Sequence, residues 1–559
     1  MSSDSFVLES LPELTEGSIA EMIERHASEA PDTPCLEYLG ISMTYGQLSE
    51  WSNRFANMLK SLGIRRGDAI GLHLPNTPQY IIGLLAASRL GCPASGVSPL
   101  LKADELAYQI ENAGIRFLFT LDSLFAPVAE ALDGKLPGLE AAIVTGPVDF
   151  LPAWKKTLAR LLGKVPRVEL PALKQVKVVN FWPTVRNASN ARVFDPAGLD
   201  EVMMIQYTGG TTGRPKGAEL TGRNVLSNVE QNVAVVHCEL GKETFASAFP
   251  YFHIAGLCNL LIGLRHRGRI LMVPNPRDVK MFAQLMQKYP PSLLSNVPAL
   301  YQMLLDEPEF HKIDFSGLKM AFSGAAPAPA ELIRRVEKVV GEGKYCEAYG
   351  LTETSPVLTL NRLGSARPGT IGHPMPETDI RIVDAETGTR EMPLDEPGEL
   401  IARGPQVFRG YLGLPEETTK ALREFDGETY FYTGDIAARD AQGYIRICDR
   451  AKDMLIVGGY KVFSVEVENK LKEMPEVELS ALIGTPDEKR PGNDVVNLFV
   501  QLSTAGQAHG EETIRERILD FCREKLAPYK VPKHIHIVPQ IPLTPVGKID
   551  KKALRIKGD

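Results

Sequence analysis

The chain has 559 residues, more than the roughly 250 to 300 residues that one hydrophobic core supports, so at least two domains are expected. Hydrophobic residues make up 44% and charged residues 23% of the sequence, which is typical of a globular α/β enzyme and excludes a disordered or fibrous chain. The 62 Lys and Arg against 69 Asp and Glu give a net charge of -7, and this sign excludes a general nucleic-acid-binding protein.

The seven cysteines are scattered and form no Cys-x-x-Cys pair, which predicts neither a disulfide framework nor a metal site. The first ten residues carry no basic segment followed by an apolar stretch. The richest apolar run, Ile81 to Leu90, is interrupted by Arg89 and is too short to span a membrane. These features predict a cytoplasmic protein.

Helical and strand patterns alternate through the first two thirds of the chain. The spacing of apolar residues predicts a helix over Thr44 to Leu62, and short apolar runs predict strands at Ala69 to Leu74 and Phe117 to Thr120. This alternation is typical of doubly wound, mainly parallel sheets, and we expect two such α/β subdomains. The second subdomain has its predicted strands at Arg269 to Val273, Leu293 to Ser295 and Met320 to Phe322.

From about Thr370 the sequence becomes richer in Gly, Pro and β-branched residues. This composition predicts a small antiparallel β-barrel or sheet containing Ile371 to Val383 and Gly398 to Arg403. Beyond Asp449 to Asp453, strands and helices alternate again up to Ala527, which indicates a separate α+β domain. We therefore predict an N-terminal domain over 1–451 and a smaller C-terminal domain over 452–559.

One segment, 151–180, is strongly basic. Trp154, Leu158, Leu161 and Leu162 recur at helical spacing, and Glu169 is the segment's one acidic residue. Two interpretations stay open: peripheral contact with an anionic membrane surface, or a solvated helix whose apolar stripe packs on the body of the protein. The seven cations are Lys155, Lys156, Arg160, Lys164, Arg167, Lys174 and Lys177.

A glycine-rich loop follows a predicted buried strand, Val202 to Tyr207, and Thr221 then offers a cap for a helix. Glycines let backbone N–H groups approach phosphate oxygens, while Arg214 and Lys216 supply positive charge, so the loop predicts a polyphosphate site. The spacing is not that of a Walker loop, and the alternative is a flexible surface loop. Its residues are Thr208, Gly209, Gly210, Thr211, Thr212, Gly213, Arg214, Pro215, Lys216 and Gly217.

Two further motifs carry nucleotide chemistry. Tyr349 offers an aromatic face for adenine and Thr352 a hydroxyl for phosphate. Glu353 supplies a carboxylate of the kind that Mg²⁺ takes together with substrate phosphates. Asp435 follows a glycine in a turn, where its carboxylate can accept from two ribose hydroxyls, although an Asp at this position is also a common turn former.

In this order the motifs resemble those of the adenylate-forming superfamily, which comprises acyl-CoA synthetases, adenylation domains of peptide synthetases and beetle luciferase. The resemblance spans the chain from Met43 to Lys552. It is carried by the loop at 208–217, Tyr349-Gly350-Leu351-Thr352-Glu353-Thr354, Tyr432-Thr433-Gly434-Asp435, Asp449-Arg450-Ala451-Lys452-Asp453 and Pro545-Val546-Gly547-Lys548-Ile549.

The resemblance implies roles for several of these residues. Lys548 would bridge the substrate carboxylate and the α-phosphate, and Arg450 would reach the ribose and phosphates. Lys452 would be the hinge about which a mobile C-terminal domain rotates between the two half-reactions. Residues lining the CoA pantetheine channel would be Gly458, Gly459, Tyr460 and Lys461.

For the acyl site, the resemblance points to two segments. His253, in Phe252 to Gly256, matches a gate near the carboxylate, although a lone histidine at such a position is more often a core residue. The small residues of the second segment would wall the adenine and acyl entrance. They are Gly324, Ala325 and Ala326. The predicted catalytic residues are thus His253, Thr352, Glu353 and Lys548.

Within the superfamily, the basic segment, Ser98 to Leu101 and Asn296 to Tyr301 look most like bacterial long-chain fatty acid CoA ligases, although Gly458 to Glu466 lacks the Pro-Arg pair common in fatty acyl relatives. The resemblance implies an enzyme that uses ATP, Mg²⁺ and CoA to convert a carboxylic acid, medium- or long-chain, into its thioester. Two alternatives stay open: an enzyme loading an aryl or fatty acid onto a separate carrier protein, and a catalytically silent nucleotide-binding protein. A monomer and a homodimer are both compatible with the sequence.

Overall fold

The structure is a computed structural model. It describes residues 10–11, 13–163, 168–208, 214–458, 460–487, 490, 493–543 and 549–555, with Arg160 described by its backbone alone. The predicted site residues Gly209 to Gly213, Gly459 and Lys548 lie outside this set.

The first α/β unit surrounds a sheet whose central strands are parallel and buried. Consecutive strands connect through helices, as expected for a doubly wound sheet. The elements from the start of the chain through this unit are α1 (Ile19–Glu29), β1 (Pro34–Tyr38), β2 (Ile41–Thr44), α2 (Tyr45–Ser61), β3 (Ala69–His73), α3 (Pro78–Arg89), β4 (Ala94–Gly96), α4 (Ala103–Asn112), β5 (Ile115–Leu121), α5 (Asp122–Leu132), β6 (Ala141–Thr145), α6 (Ala153–Leu161), β7 (Lys177–Asn180), α7 (Phe181–Asn187), β8 (Val202–Thr208), β9 (Lys216–Thr221) and α8 (Gly222–Val236).

The second unit contains a nine-stranded sheet, and its elements are β10 (Thr244–Ser247), α9 (Ile254–Arg265), β11 (Arg269–Met272), α10 (Val279–Lys288), β12 (Leu293–Asn296), α11 (Pro298–Leu305), β13 (Met320–Ser323), α12 (Ala330–Val340), β14 (Tyr345–Gly350), β15 (Val357–Leu360) and β16 (His373–Pro374). The strand order is β16-β15-β14-β13-β12-β10-β11-β1-β2. The N-terminal hairpin β1–β2 therefore completes the sheet of the second unit rather than the first.

An antiparallel sheet follows in the part of the chain after Thr370, where Gly, Pro and β-branched residues become more frequent. Its region contains β17 (Asp379–Val383), β18 (Gly398–Arg403), β19 (Gly410–Tyr411), α13 (Pro415–Ala421), β20 (Leu422–Phe425), β21 (Glu428–Arg439) and β22 (Ile445–Arg450). Five of these strands form the sheet, in the order β17-β18-β21-β20 with β22 also paired to β21. The short strand β19 instead pairs with β9 and gives the first sheet the order β19-β9-β8-β4-β3-β5-β6-β7.

The last part of the chain has an apolar core drawn from Leu455 onward. Its three-stranded sheet packs against two helices. The elements are β23 (Leu455–Val457), β24 (Tyr460–Val462), α14 (Ser464–Leu471), β25 (Val477–Pro486), β26 (Asp494–Leu502), α15 (Thr504–Gln507), α16 (Glu511–Lys525), β27 (His534–Ile537) and α17 (Lys551–Arg555). The predicted fold class is confirmed, while the domain boundary at 451 stays a prediction.

The predicted helix at 44–62 shows why such segments fold as they do. Thr44 caps α2 by accepting from the backbone of Gln47, whose side chain accepts from the Thr44 backbone in return. Leu48, Phe55 and Leu59 on its apolar stripe are fully buried. Each such side chain contributes about 1.5 to 3 kcal/mol of burial free energy, so the stripe fixes which face of the helix meets the core.

The expected strand–loop–helix context of the glycine-rich loop is wrong. The loop joins two antiparallel strands, because Lys216 to Thr221 pair with β8 from Thr208 back to Val202. Strand β4 occupies one edge of β8, and the backbone of β9 satisfies the other edge. Thr221 does cap α8, accepting from the backbone N–H of Asn224 at 3.2 Å.

The interpretation that the apolar stripe of the basic helix packs on the body is also wrong. Trp154, Leu158, Leu161 and Leu162 are exposed by 65%, 48%, 79% and 59%. The cations make the contacts to the body instead: Lys155 donates to the Gly40 carbonyl at 2.8 Å, and the Lys156 ammonium lies 4.4 Å from the centre of the Trp182 ring. The stripe therefore points away from the protein. Among the described residues, no helix is long and apolar enough to cross a membrane.

Candidate active site

The predicted nucleotide residues converge where strands of the two large sheets end. Thr208 closes β8, and Tyr349 and Gly350 close β14. The 3₁₀ turn Thr352–Thr354, which follows β14, contacts β8 and β9. Carboxyl ends of parallel strands are where open α/β sheets bind ligands, so the topology brings the phosphate loop and the adenine motif together.

Three of the predicted motifs meet at one carboxylate. The Tyr349 hydroxyl donates to Asp435 Oδ2 at 2.6 Å, and Arg450 Nε lies 2.6 Å from Asp435 Oδ1. Asp435 and Arg450 face each other across the β21–β22 ladder, and Asp435 is 2% exposed. Burial, together with the neighbouring Asp435 carboxylate, raises the pKa of Tyr349 well above its usual value. The tyrosine therefore acts as a neutral donor that fixes the position of the Asp435 carboxylate.

Glu353 lies in the 3₁₀ turn and is 8% exposed. Its Oε1 accepts from the Tyr411 hydroxyl at 2.7 Å, and its backbone carbonyl accepts from the Phe408 N–H at 2.8 Å. Burial raises the pKa of Glu353 above the usual value for a glutamate. A neighbouring cation would oppose this shift, so the carboxylate is suited to bind one.

The donor set near Glu353 fits Mg²⁺ rather than a metal held by protein alone. No group of three or more His, Cys, Asp or Glu side chains forms a metal cage in the part of the chain that the structure describes. Mg²⁺ is typically held by one or two carboxylates and completed by substrate phosphates and water. A single buried glutamate beside the phosphate loop matches this pattern.

Lys216 is held by an acidic partner that the sequence analysis missed. Its ammonium lies 2.5 Å from Glu417 Oε2 on α13 and 4.9 Å from the centre of the Tyr411 ring. Lys216 and then Lys420 lower the pKa of Glu417 to about 2. Pro415 followed by two glutamates indicates a helix start, but nothing in this spacing connects it with the phosphate loop.

The predicted acyl residue His253 begins helix α9. Its Nδ1 accepts from the backbone N–H of Ala255 at 3.2 Å, so the other ring nitrogen carries the proton in the neutral form. Gly256 follows where a side chain could not fit, since a Cβ there would lie 2.1 Å from the Pro250 carbonyl oxygen. The turn into α9 thus fixes the direction of the imidazole.

The predicted small residues, Gly324 to Ala326, follow directly after the end of β13. A Cβ added at Gly324 would lie 3.1 Å from the carbonyl oxygen of Ala348, which is a tight contact. The next residue, Ala325, adopts a left-handed φ of +67°. Such backbone strain in a residue with a side chain is concentrated at functional sites. A cavity of about 20 Å³ lies between the sheet and α9, with Phe322 of β13 in its lining. It is lined mainly by apolar side chains, including Phe245, Leu260, Ile270, Leu293 and Phe322.

The predicted hinge residue Lys452 lies two residues after the end of β22, close in sequence to a buried polar network. Asp449, 1% exposed, accepts from the backbone and the hydroxyl of Ser464 at the start of α14. Lys551 bridges to the same hydroxyl at 2.6 Å and to Glu468 at 2.7 Å. Burial raises the pKa of Asp449 to about 6. The segments before and after Lys452 are therefore joined by Asp449 in this arrangement.

Among the described residues, no hydrogen bond, ion pair or ring contact joins the predicted CoA residues to the predicted nucleotide residues. Tyr460 is 60% exposed and stacks on Tyr529, with ring centres 4.6 Å apart. Gly458 has a φ of +60°, a conformation that favours glycine, and Lys461 is exposed. Their part in binding CoA stays a prediction, as do the roles of the other site residues.

Comparison with known proteins agrees with this geometry. A family model described as AMP-binding enzyme matches residues 23–412, and one described as AMP-binding enzyme C-terminal domain matches residues 466–548. The chain is 34% identical over 545 residues to a long-chain-fatty-acid–CoA ligase of Bacillus subtilis (strain 168), covering 96% of this chain and 94% of that protein.

Two further similarities widen the range of acids. A feruloyl-CoA synthase of Amycolatopsis sp is 32% identical over 534 residues, which cover 95% of this chain and 97% of the synthase. Among solved structures, ATP-bound MatB from Rhodopseudomonas palustris superimposes with a TM-score of 0.82 at 28% identity, over 96% of this chain and 98% of that one.

Proposed function

The chain belongs to the AMP-binding enzyme family, and from this premise we propose that it joins a medium- or long-chain fatty acid to CoA. Its chemistry is that of an AMP-forming acid–thiol ligase, which uses ATP, Mg²⁺ and CoA. In the first half-reaction a carboxylate oxygen attacks the α-phosphorus of ATP, and pyrophosphate leaves. In the second, the CoA sulfur attacks the acyl carbonyl, the thiol proton is lost, and AMP leaves.

The residues of this chain supply binding and charge to the first step. Asp435, held by Tyr349, accepts from the ribose hydroxyls, and Lys216 exchanges Glu417 for phosphate oxygens. Lys548 stabilises the charge that builds up as two anions meet, an effect worth several kcal/mol for a fixed donor. Mg²⁺, when bound through Glu353, neutralises the phosphates further.

The apolar lining of the cavity beside α9 is the observation that carries the choice of a fatty acid. The cavity runs between β10, β11, β12, β13 and α9, and its lining includes Tyr251 and Phe322, each two residues before a predicted acyl-site residue, His253 or Gly324. At about 20 Å³ it holds little more than one water molecule. An acyl chain must therefore displace side chains such as Phe322 and Leu260.

A screen of acids tests this proposal. Pyrophosphate release is measured with saturated acids of increasing length and with benzoate and ferulate, each with and without CoA. We expect kcat/KM to rise with chain length and AMP release to require CoA. A preference for benzoate or ferulate would overturn the fatty acid assignment. Adenylate formation without thioester formation would favour loading of a separate carrier protein.

A variant locates the acyl chain within the fold. Ser295 lies on β12 and lines the cavity with its small side chain. Ser295→Val should narrow this space and reduce kcat/KM for long acids at least about 10-fold, since one methylene group in an apolar pocket can change kcat/KM by that much. Activity on a short acid such as butyrate should be retained, which shows that the variant folds. Equal loss for short and long acids would place the acyl chain elsewhere.

A hydroxylated aromatic acid is the second candidate. Tyr251 also lines the cavity, and its buried hydroxyl has no hydrogen-bond partner among the described residues. A buried polar atom without a partner costs about 1 to 3 kcal/mol, and a substrate hydroxyl could pair with it. The feruloyl-CoA synthase relative makes ferulate the informative member of the screen. Tyr251→Phe would then reduce activity on ferulate and leave activity on fatty acids unchanged.

A further inference from the structure

The basic helix α6 presents a surface that the proposed reaction does not use. Its apolar side chains are exposed, and the side chain of Leu39, in the turn between β1 and β2, is exposed by 41%. Lys155 joins the two elements, because its ammonium donates to the carbonyl of Gly40, the next residue after Leu39. We define the α6 face as Leu39, Trp154, Lys155, Lys156, Leu158, Leu161 and Leu162.

We propose that the α6 face docks the enzyme on the surface of an anionic lipid bilayer. The helix would lie in the plane of the interface, with its apolar stripe among the headgroups, while the positive charge of segment 151–180 attracts it to anionic lipid. The proposal deepens the proposed function, since a long-chain acid concentrates in bilayers. It concerns binding alone, and it is tested without substrate.

Charge complementarity supports this partner. Segment 151–180 carries seven Lys and Arg and one Glu, whereas the whole chain has a net charge of -7. The rest of the protein is therefore repelled by an anionic surface while this segment is attracted. Opposite signs on one molecule fix its orientation at the membrane as well as its affinity.

The apolar stripe supports an apolar partner rather than free phosphate. Four neighbouring large apolar side chains on one short helix are exposed by between 48% and 79%. Their contiguity distinguishes them from the single exposed apolar residues that are normal on protein surfaces. Inorganic phosphate would contact the cations but would leave this stripe in water. Lipid would cover both.

The helix is held to the body while its stripe stays free. Lys156 lies over the ring of Trp182, which in turn stacks on Trp51 with ring centres 5.4 Å apart. Phe150 packs edge-on against both tryptophans. Together with the Lys155 contact to Gly40, this cluster gives α6 a rigid seat, so lipid binding need not order the helix first.

Tryptophan emission offers a direct readout. The chain has three Trp, of which Trp51 and Trp182 are partly buried in the aromatic cluster and Trp154 is 65% exposed. Trp side chains prefer the membrane–water interface. Insertion of the α6 face should therefore shift the emission of Trp154 to shorter wavelength.

The experiment uses the full chain without substrates. Co-sedimentation and tryptophan emission are measured with vesicles of phosphatidylcholine alone and of phosphatidylcholine mixed with phosphatidylglycerol. We expect sedimentation and a blue shift with the anionic vesicles, both weakening as salt rises because screening acts within a Debye length of about 10 Å at 0.1 M. Trp154→Phe should abolish the blue shift and keep the sedimentation.

Variants connect the binding with this surface. Leu158→Glu, which leaves both anchoring lysines in place, should lower the partition coefficient about 10-fold, which corresponds to about 1.4 kcal/mol. Leu161→Glu should lower it further. Leu394→Glu is the matched control, because Leu394 is an equally large side chain exposed by 57% in another part of the molecule. It should bind vesicles like the wild type.

Several results would overturn the proposal. One is failure of the wild type to sediment with anionic vesicles at low salt, and another is equal binding to neutral vesicles. Self-association in light scattering that Leu161→Glu abolishes would show that a second copy covers the face instead. Activity on a soluble short acid is measured in parallel, so loss of vesicle binding with normal activity leaves the proposed function standing.

Discussion

The ammonium of Lys216 and the carboxylate of Glu417 lie 2.5 Å apart, between the first residue of β9 and helix α13. Both side chains are about one third exposed, and the pair sits beside the loop expected to bind triphosphate. The carboxylate of Glu417 is therefore paired with the cation that we propose binds the phosphates of ATP. In that proposal ATP displaces Glu417 when its phosphates contact Lys216.

The first prediction follows from this competition. Glu417→Gln should lower the KM for ATP about 3- to 5-fold, because an exposed ion pair of this kind opposes ATP binding by up to about 1 kcal/mol. The measurement is pyrophosphate release at varied ATP concentration. Glu416→Gln, which removes the neighbouring exposed carboxylate, is the control and should leave KM unchanged. A raised KM in Glu417→Gln would mean that the glutamate assists ATP binding.

The second prediction concerns the hydroxyl of Tyr349. Tyr349→Phe removes a 2.6 Å hydrogen bond to the buried Asp435, and bonds to charged groups are worth about 1.5 to 3 kcal/mol. We expect KM for ATP to rise about 10-fold as the carboxylate loses its fixed position. Tyr444→Phe removes a hydroxyl bonded to the Ser365 carbonyl at 2.7 Å and serves as control. An unchanged KM for ATP in Tyr349→Phe would show that the fixed position of Asp435 does not contribute to ribose binding.

The third prediction concerns Glu353 and pH. Burial raises the pKa of Glu353, so the ionised form that binds Mg²⁺ is lost at a higher pH than for a free glutamate. KM for Mg²⁺ should increase as pH falls. Tyr411→Phe removes the hydrogen bond that lowers this pKa, and the increase should then begin at a still higher pH. An unchanged pH profile in Tyr411→Phe would argue that Glu353 is not the titrating ligand.

The fourth prediction concerns Asp449. Its pKa is raised from 3.8 to about 6 by burial, so the folded state binds a proton more tightly than the unfolded chain. The free energy of unfolding should therefore fall as pH rises from 3.8 to above about 6. The loss should be on the order of 3 kcal/mol when Asp449 is fully ionised. Asp449→Asn should remove this slope in urea unfolding. Ser464→Ala should keep it, because the carboxyl stays buried.

The fifth prediction separates the two half-reactions. Lys548→Ala should lose acyl-adenylate formation by orders of magnitude and still convert supplied acyl-adenylate and CoA into thioester. The matched control is Lys552→Ala, four residues further along. Pyrophosphate release and thioester formation are measured separately. Equal loss in both half-reactions would assign Lys548 a role in overall stability instead.

Much of the fold could be predicted from local patterns. The capped helix at 44–62 and the apolar runs at 69–74 and 293–295 have periodicities that allow one element type each. The strand at Lys216 to Thr221 could not be predicted in this way, because it is short and contains Lys, Gly and Glu. It forms because β8 leaves one edge open for pairing, which is a property of the tertiary structure.

The residues of the site also fall into two groups, those marked by a local motif and those placed only by the tertiary structure. Residues within motifs, such as Asp435 and Glu353, could be found because their neighbours in sequence mark them. Glu417 and Tyr411 act from a helix and a strand that carry no marked spacing, and they reach the site only through the pairing of β19 with β9. The exposure of Leu161 likewise depends on which side of α6 the lysines hold to the body, and periodicity alone gives a stripe without its direction.

The same pairing of β19 with β9 has a consequence during synthesis. Strand β9 ends at Thr221 and its partner begins at Gly410, so the edge of the first sheet stays open while about 190 further residues are made. At roughly 5 to 20 residues per second, this interval lasts on the order of 10 to 40 seconds. An open strand edge is a template for pairing with other chains. During this interval the edge of β9 that later pairs with β19 is available to other chains, so a chaperone that covers β9 would protect the nascent protein.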